Sequence, residues 1–502
     1  MRKFRFRATY AAVACAGLVL GATAAAHPSA GPGAPAGHYA GSLADGASWI
    51  ADVPDGWNGT LVLFSHGYTP GPANPPRDAP TPAAAAALLA EGFALAGSSY
   101  AQPAWALGTA ADDQLGTLAA FRHQIGRPRT TIALGQSMGG LVSAELAERG
   151  AGRIDGVVNT CGLLAGGVDL NNYQLDGQYA LQELLLGNHD IPLVRYSSPA
   201  DGQATANALT ALAGQAQPTA SGRARFALAA ALMNVPTWAV GQPQPARDDY
   251  AAQEQAQYAW IAGGLLSFID PARYTIEQPA GGNGSWNIGV DYGDLFARLP
   301  DRDEVVALYR AAHLDLRADL RHLTAAADIT PDLPAVRWLD RTSNTTGRLT
   351  VPTLSMHTIA DQLAPVEFEH EYARRVSAAG RGGLLRQAFV QAVGHCNFTT
   401  AEYVTAVRAV RERLHRSGWG AIADPERLQA DAQSLGLDGA AFIHFRPGPL
   451  VNHRRLAAAR PEALAVGGAG GQSGAVIAGQ APYRRSPDGV PEAGLEPATF
   501  GL

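Results

Sequence analysis

The chain has 502 residues, 47% of them hydrophobic and only 16% charged, with a formal net charge of −6 at neutral pH. That balance is ample for a large buried core and excludes disorder as the general state. A net negative charge also makes nucleic acid a poor candidate as a partner.

In chain order, Arg2, Lys3, Arg5 and Arg7 make a basic start to an apolar run from Ala11 to Ala22, and the small residues Ala24, Ala25 and Ala26 precede His27. This pattern predicts a signal peptide over 1–26 and an exported protein, periplasmic or extracellular. The apolar run is too short for a comfortable membrane span, so no stable span is expected after cleavage. Loss of those four basic residues takes the net charge from −6 to −10. Two cysteines then remain, Cys161 and Cys396. Export permits a disulfide between them, two buried thiols being the alternative, whereas a metal site needs a larger cluster.

Residues 27–46, rich in Gly, Pro, Ala and Ser, read as a flexible leader. From 47 to 165, strand patterns at 48–53, 60–65, 93–97, 130–134 and 154–159 alternate with helical ones at 83–91, 112–125 and 141–149. Alternation at this spacing indicates βαβ units and a mostly parallel sheet. Residues 166–347 change rhythm and read as a helical insertion, with helices at 181–186, 204–213, 223–233 and 248–268. Strand patterns resume at 349–356 and 384–393, and a helix at 399–414 completes a second core part over 348–416. A C-terminal appendix follows over 417–457, with a helix capped by Asp424 and started by Pro425. The Gly/Ala/Pro-rich stretch 458–502 reads as a disordered tail.

The chemistry centres on Gly135-Gln136-Ser137-Met138-Gly139-Gly140, which joins an apolar strand to a helix. A nucleophile on so sharp a turn needs glycines two residues before and after it, where Cβ atoms would collide. A serine hydroxyl needs a base, and His395 lies on the loop after the last core strand. Asp361 follows the strand before that one and can reach the histidine's other nitrogen, fixing its tautomer. An oxyanion hole needs two backbone N–H donors. Met138, next to the serine, offers one; the turn His66-Gly67-Tyr68 resembles the His-Gly turn of lipases and esterases, and that resemblance implies the other, Tyr68 ahead of Thr69.

These features, in this order, resemble the α/β-hydrolase superfamily of esterases, lipases, amidases and some peptidases. The likeness covers 47–165 and 348–416. It implies an eight-stranded, mostly parallel sheet flanked by helices, acyl-enzyme chemistry without a cofactor, and a lid in the large insertion between strands 6 and 7. Aromatics of that insertion (Tyr258, Trp260, Phe268, Trp286, Tyr292, Phe296) either line an apolar pocket or fill the insertion's own core. Asp169, Asn171, Asn172 and Asp176 lack the spacing and glycine of an EF-hand loop, and no metal is expected.

The leading expectation is hydrolysis of a small-molecule or polymeric carboxylic ester, with Ser137, His395 and Asp361 as the triad. Amide or peptide hydrolysis uses the same groups on a poorer leaving group. A binding protein on the same fold is the alternative from another class.

Overall fold

A computed structural model describes residues 35–437 and 439–455. The expected signal peptide, residues 27–34 of the leader, 456–457 of the appendix and the tail at 458–502 lie outside the described residues.

The strands are β1 (Gly37–Ser42), β2 (Ser48–Val53), β3 (Thr60–Ser65), β4 (Ala94–Ser98), β5 (Thr130–Gln136), β6 (Gly156–Thr160), β7 (Thr353–Ala360), β8 (Leu385–Val393) and β9 (Phe442–Ile443). They form one sheet in the order β1-β2-β4-β3-β5-β6-β7-β8-β9. The run from β4 through β8 is parallel, while β1, β2 and β9 are antiparallel to their neighbours. Every residue of β3 is buried, as expected of a parallel strand covered on both faces.

Alternate side chains feed two cores. Leu61 and Leu63 point to one, where α2 (Ala110–Gln124), α3 (Met138–Arg149) and α13 (Glu367–Ala378) pack. Val62 and Phe64 point to the other, under α1 (Pro82–Ala90), α14 (Thr400–Leu414) and α15 (Pro425–Ser434).

The leader reading fails for residues 37–42, which are β1, paired with β2. Their small composition has a packing cause: a Cβ on Gly41 would stand 2.7 Å from the indole nitrogen of Trp49 on the paired strand. Tyr39 also donates to the Pro35 carbonyl at 2.7 Å. This strand is the eighth that the sequence patterns do not supply, and β9, from the appendix, adds a ninth.

Between β6 and β7 lie α4 (Gly167–Leu185), α5 (Pro199–Ala216), α6 (Ala220–Leu232), α7 (Tyr250–Ala262), α8 (Leu265–Ala280), α9 (Tyr292–Ala297), α10 (Arg302–Ala311), α11 (Leu316–Ala326) and α12 (Leu333–Thr342). The helix expected over 248–268 is two, because Gly263 ends α7 and Gly264, at φ +99°, starts α8 in a left-handed conformation. The helix expected at 181–186 is only the end of α4, which is buried along nearly its whole length. Asp169, Asn171, Asn172 and Asp176 belong to this helix rather than to a loop. The sequence hides α4 because buried polar residues are interspersed with apolar ones on every side, leaving no apolar stripe opposite a solvated face. Asp176 accepts a hydrogen bond from Asn452 at 2.6 Å and pairs with Arg454, so the chain beyond β9 returns into the insertion. Among the described residues, no helix is long and apolar enough to cross a membrane.

Candidate active site

Ser137 stands between β5 and α3 at φ 58° and ψ −122°, a costly conformation for a residue with a side chain. The surroundings enforce it. A Cβ on Gly139 would meet the Ser65 carbonyl oxygen at 1.9 Å, and one on Gly135 would meet the Gly139 oxygen at 2.0 Å. The Ser137 N–H donates to the Thr160 oxygen at 3.0 Å, tying the turn to β6.

Asp361 directly follows β7 and His395 lies two residues beyond β8. The His395 Nε2 is 2.7 Å from the Ser137 Oγ, and its Nδ1 is 2.8 Å from the Asp361 Oδ2 and 3.0 Å from Oδ1. The Asp361 carboxylate is buried, and its Oδ1 accepts from the N–H groups of Leu363 and Ala364, both at 2.9 Å. Burial opposes its ionisation, but His395, through its charge and hydrogen bonds, and the neighbouring His357 imidazole hold the carboxyl well below the usual range.

His357, on β7, has no counterpart in the sequence reading. It is fully buried, with Nε2 donating to the Ala364 oxygen at 2.8 Å and lying 3.5 Å from the Asp361 Oδ2. Its Nδ1 lies 3.2 Å from the Glu369 Oε1, which also accepts from the Ser355 hydroxyl at 2.6 Å. Burial by itself disfavours a charged imidazole, but the two carboxylates outweigh it and push the His357 pKa up to about 10. Asp361 is therefore backed by a buried imidazolium. No motif marks such a residue, since a histidine within a strand has no distinguishing period.

The two oxyanion candidates flank the serine. Tyr68 lines the cavity over Ser137 and Thr69 does not. Among the described residues neither the Tyr68 nor the Met138 N–H donates a hydrogen bond. The Tyr68 ring meets Phe268 edge-on at 5.7 Å and its hydroxyl lies 3.2 Å from the Thr275 hydroxyl, fixing the loop against α8. His66 plays a structural part, stacked on Tyr100 at 4.2 Å with Nδ1 donating to the Gly67 oxygen at 2.7 Å.

Cys161 and Cys396 are joined by a disulfide, linking the end of β6 to the loop that carries His395. Both hold positive φ, 45° and 54°.

The cavity over Ser137 measures about 300 Å³. Trp105, Leu163, Leu170, Phe268, Ile269 and Leu363 give it apolar walls, with Gln136 and Gln174 among its polar atoms. Arg77 also lines it and has no ion-pair partner among the described residues. The Trp105 indole N–H is buried without a hydrogen-bond partner. Of the insertion's expected aromatics only Phe268 reaches this cavity, while Trp286 and Tyr292 are buried elsewhere in the insertion. Among the described residues, none of the appendix lines it. Arg77 and Trp105 escaped the sequence reading because each sits in a loop, and arginine is this chain's default basic residue.

Comparison with protein-family models finds no match. Among curated proteins, the o-phthalyl amidase of Xanthobacter agilis is 31% identical over 437 residues, covering 80% of this chain and 94% of that protein. Solved structures similar to this chain include an esterase from Aspergillus oryzae, 13% identical with a TM-score of 0.35 over 70% of this chain and 71% of that one. Another is a proline iminopeptidase from Mycobacterium smegmatis, 13% identical with a TM-score of 0.32 over 79% of this chain and 99% of that one. With its sheet topology, its strand–serine–helix turn and this relative, the chain belongs to the α/β-hydrolase superfamily, in one family with the Xanthobacter agilis amidase.

Proposed function

We propose that the protein is a serine hydrolase that transfers an acyl group from a carboxylic ester to water through an acyl-enzyme on Ser137. The observation that carries this reading is the unbroken chain Ser137 Oγ, His395 Nε2, His395 Nδ1, Asp361, with separations of 2.7 and 2.8 Å, at a cavity able to seat an acyl group. His395 takes the serine proton as Oγ attacks the carbonyl carbon, then returns it to the leaving oxygen as that bond breaks. Asp361 holds the imidazole and stabilises its cation, and the Met138 and Tyr68 N–H groups receive the oxyanion. Water repeats the sequence to release the acid and regenerate the serine.

A second reading extends the chemistry to amides, where His395 must protonate a nitrogen before it can leave. The 31% identical relative is an o-phthalyl amidase, which supports this extension. The aromatic walls of Trp105 and Phe268 and the unpaired Arg77 guanidinium suit an aromatic acyl group with an acidic substituent. We further propose that the protein works outside the cytoplasm and that 166–347 acts as its lid. The disulfide supports the first, and Leu170 and Phe268 over the serine support the second.

The test is turnover of p-nitrophenyl esters of graded chain length, matched anilides and phthalyl monoamides by the parent and Ser137→Ala. The variant is expected to lose at least ~1000-fold. Amide turnover rivalling the esters would establish the amidase reading, and an equally active Ser137→Ala would end the serine mechanism.

A further inference from the structure

A second cavity, of about 550 Å³, shares no lining residue with the one over Ser137. Six arginines converge on it: Arg337 from α12, Arg348 from the connection to β7, Arg374 and Arg375 from α13, and Arg454 and Arg455 from the C-terminal segment.

Three of these guanidiniums are already matched by carboxylates. Arg374 pairs with Glu371 at 2.7 Å, Arg375 with Glu371 at 2.7 Å and Asp169 at 3.1 Å, and Arg454 with Asp176. These pairs form a fixed floor, since Asp169, Glu371, Arg375 and Asp176 are buried. The side chains of Arg337, Arg348 and Arg455 have no ion-pair or hydrogen-bond partner among the described residues, although all three line the cavity. Nearby acids make no ion pair with these three among the described residues. Asp340 accepts from Asn344 at 2.8 Å, and Glu148, behind the loop, is taken up by the Thr346 and Gly347 N–H groups at 2.9 and 2.7 Å. Asp169, Glu371 and His453 lie close enough to suggest a cation site. The Arg375 guanidinium already lies against both carboxylates, so that place is filled.

We propose that this cavity is a binding site for a small polyanion, a ligand carrying two or more phosphate or carboxylate groups. Guanidinium forks bind both oxyanions bidentately, and unpaired ones held around a concave site raise the local anion concentration. One anionic group can engage only part of so wide a ring, and the volume falls in the range of small-ligand pockets. Such a ligand would brace α12, the approach to β7 and the C-terminal segment against one another. It would also lie next to the active site, because Val168 and Asp169 of α4 line this cavity and Leu170 and Gln174 of the same helix line the other.

The experiment is calorimetric titration of the full-length protein with pyrophosphate and with citrate, at constant ionic strength set by chloride. The parent and Arg337→Ala/Arg348→Ala are compared. Both substituted residues are exposed, and neither is placed in the catalytic machinery, so ester turnover without the anion should be unchanged and serves as the folding control. The parent is expected to bind at least one of the two anions, and the double variant to bind it tenfold or more weakly. Binding of pyrophosphate alone identifies a phosphate-bearing ligand, and binding of citrate alone a polycarboxylate. Absence of binding by the parent, or equal binding by a folded double variant, overturns the proposal.

Discussion

The buried imidazolium of His357 makes stability depend on pH in a direction that can be worked out. Its pKa rises from the ordinary 6.5 to about 10 because, despite burial, Asp361 and Glu369 both favour the cation. A group bound more tightly to its proton in the folded state stabilises fully below its unfolded pKa and loses that contribution as pH rises through the folded one. The window is therefore pH 6.5 to 10. At ~1.4 kcal/mol per tenfold change in proton affinity, the interval corresponds to about 5 kcal/mol at most. Other acids of the protein titrate in this window too. Burial pushes Glu367 up to about 7, and burial pushes Glu304, in the insertion, up to about 9. Both also weaken the fold as pH rises, so the informative quantity is a difference between proteins. His357→Gln keeps a hydrogen-bonding side chain of similar reach but carries no charge. Urea denaturation of parent and variant at pH 6, 8 and 10 should show the variant much less stable at pH 6, with the gap closing by pH 10. A gap constant across the window would mean that His357 is not held as a cation, and the account of the backing carboxylates would fail.

Three further outcomes follow from the site. Gly67→Ala puts a Cβ 3.0 Å from the Ser137 Cβ and 3.3 Å from the Gln136 oxygen, so kcat should fall roughly 10- to 100-fold while the melting temperature moves little. Trp105→Ala opens the cavity over Ser137; the preferred p-nitrophenyl ester should become longer, at a cost of about 3–5 kcal/mol measured by urea denaturation. Replacing Cys161 and Cys396 together by serine should cost about 2–5 kcal/mol in the same assay, and should lower kcat because the bond braces the His395 loop.

Much of this molecule is legible in one dimension because its signals are local. The elbow at Gly135–Gly140 is readable because a left-handed serine between two close backbone approaches demands glycine on either side. Ser137, Asp361 and His395 each directly or nearly follow the end of a strand pattern, and parallel strands bring all their carboxyl ends to one edge of the sheet. Chain order and strand pattern thus sufficed to bring the three together. The Cys161–Cys396 pairing was open to the sequence only as a permitted bond, and the tertiary structure decided it.

What the sequence left undetermined depends on contacts between distant segments. The strand Gly37–Ser42 resembled a linker because its small residues answer to Trp49 across the ladder, a partner its own pattern cannot name. Helix α4 shows no amphipathic period because its polar residues are buried along with its apolar ones on every side. His357 and Glu369 are ordinary polar residues until β7 and α13 pack, when the imidazole is set between the Glu369 and Asp361 side chains, which favour its cation despite burial. The same holds for the arginines of α12, α13 and the C-terminal segment. Each alone reads as a solvated surface charge, and only the closing of the chain upon itself sets them around one cavity. Local rules of backbone geometry wrote the Ser137 turn and the strand-end positions of Asp361 and His395 into the sequence; burial and long-range packing decided the strands at the edges, the surroundings of Asp361 and the shape of the pockets.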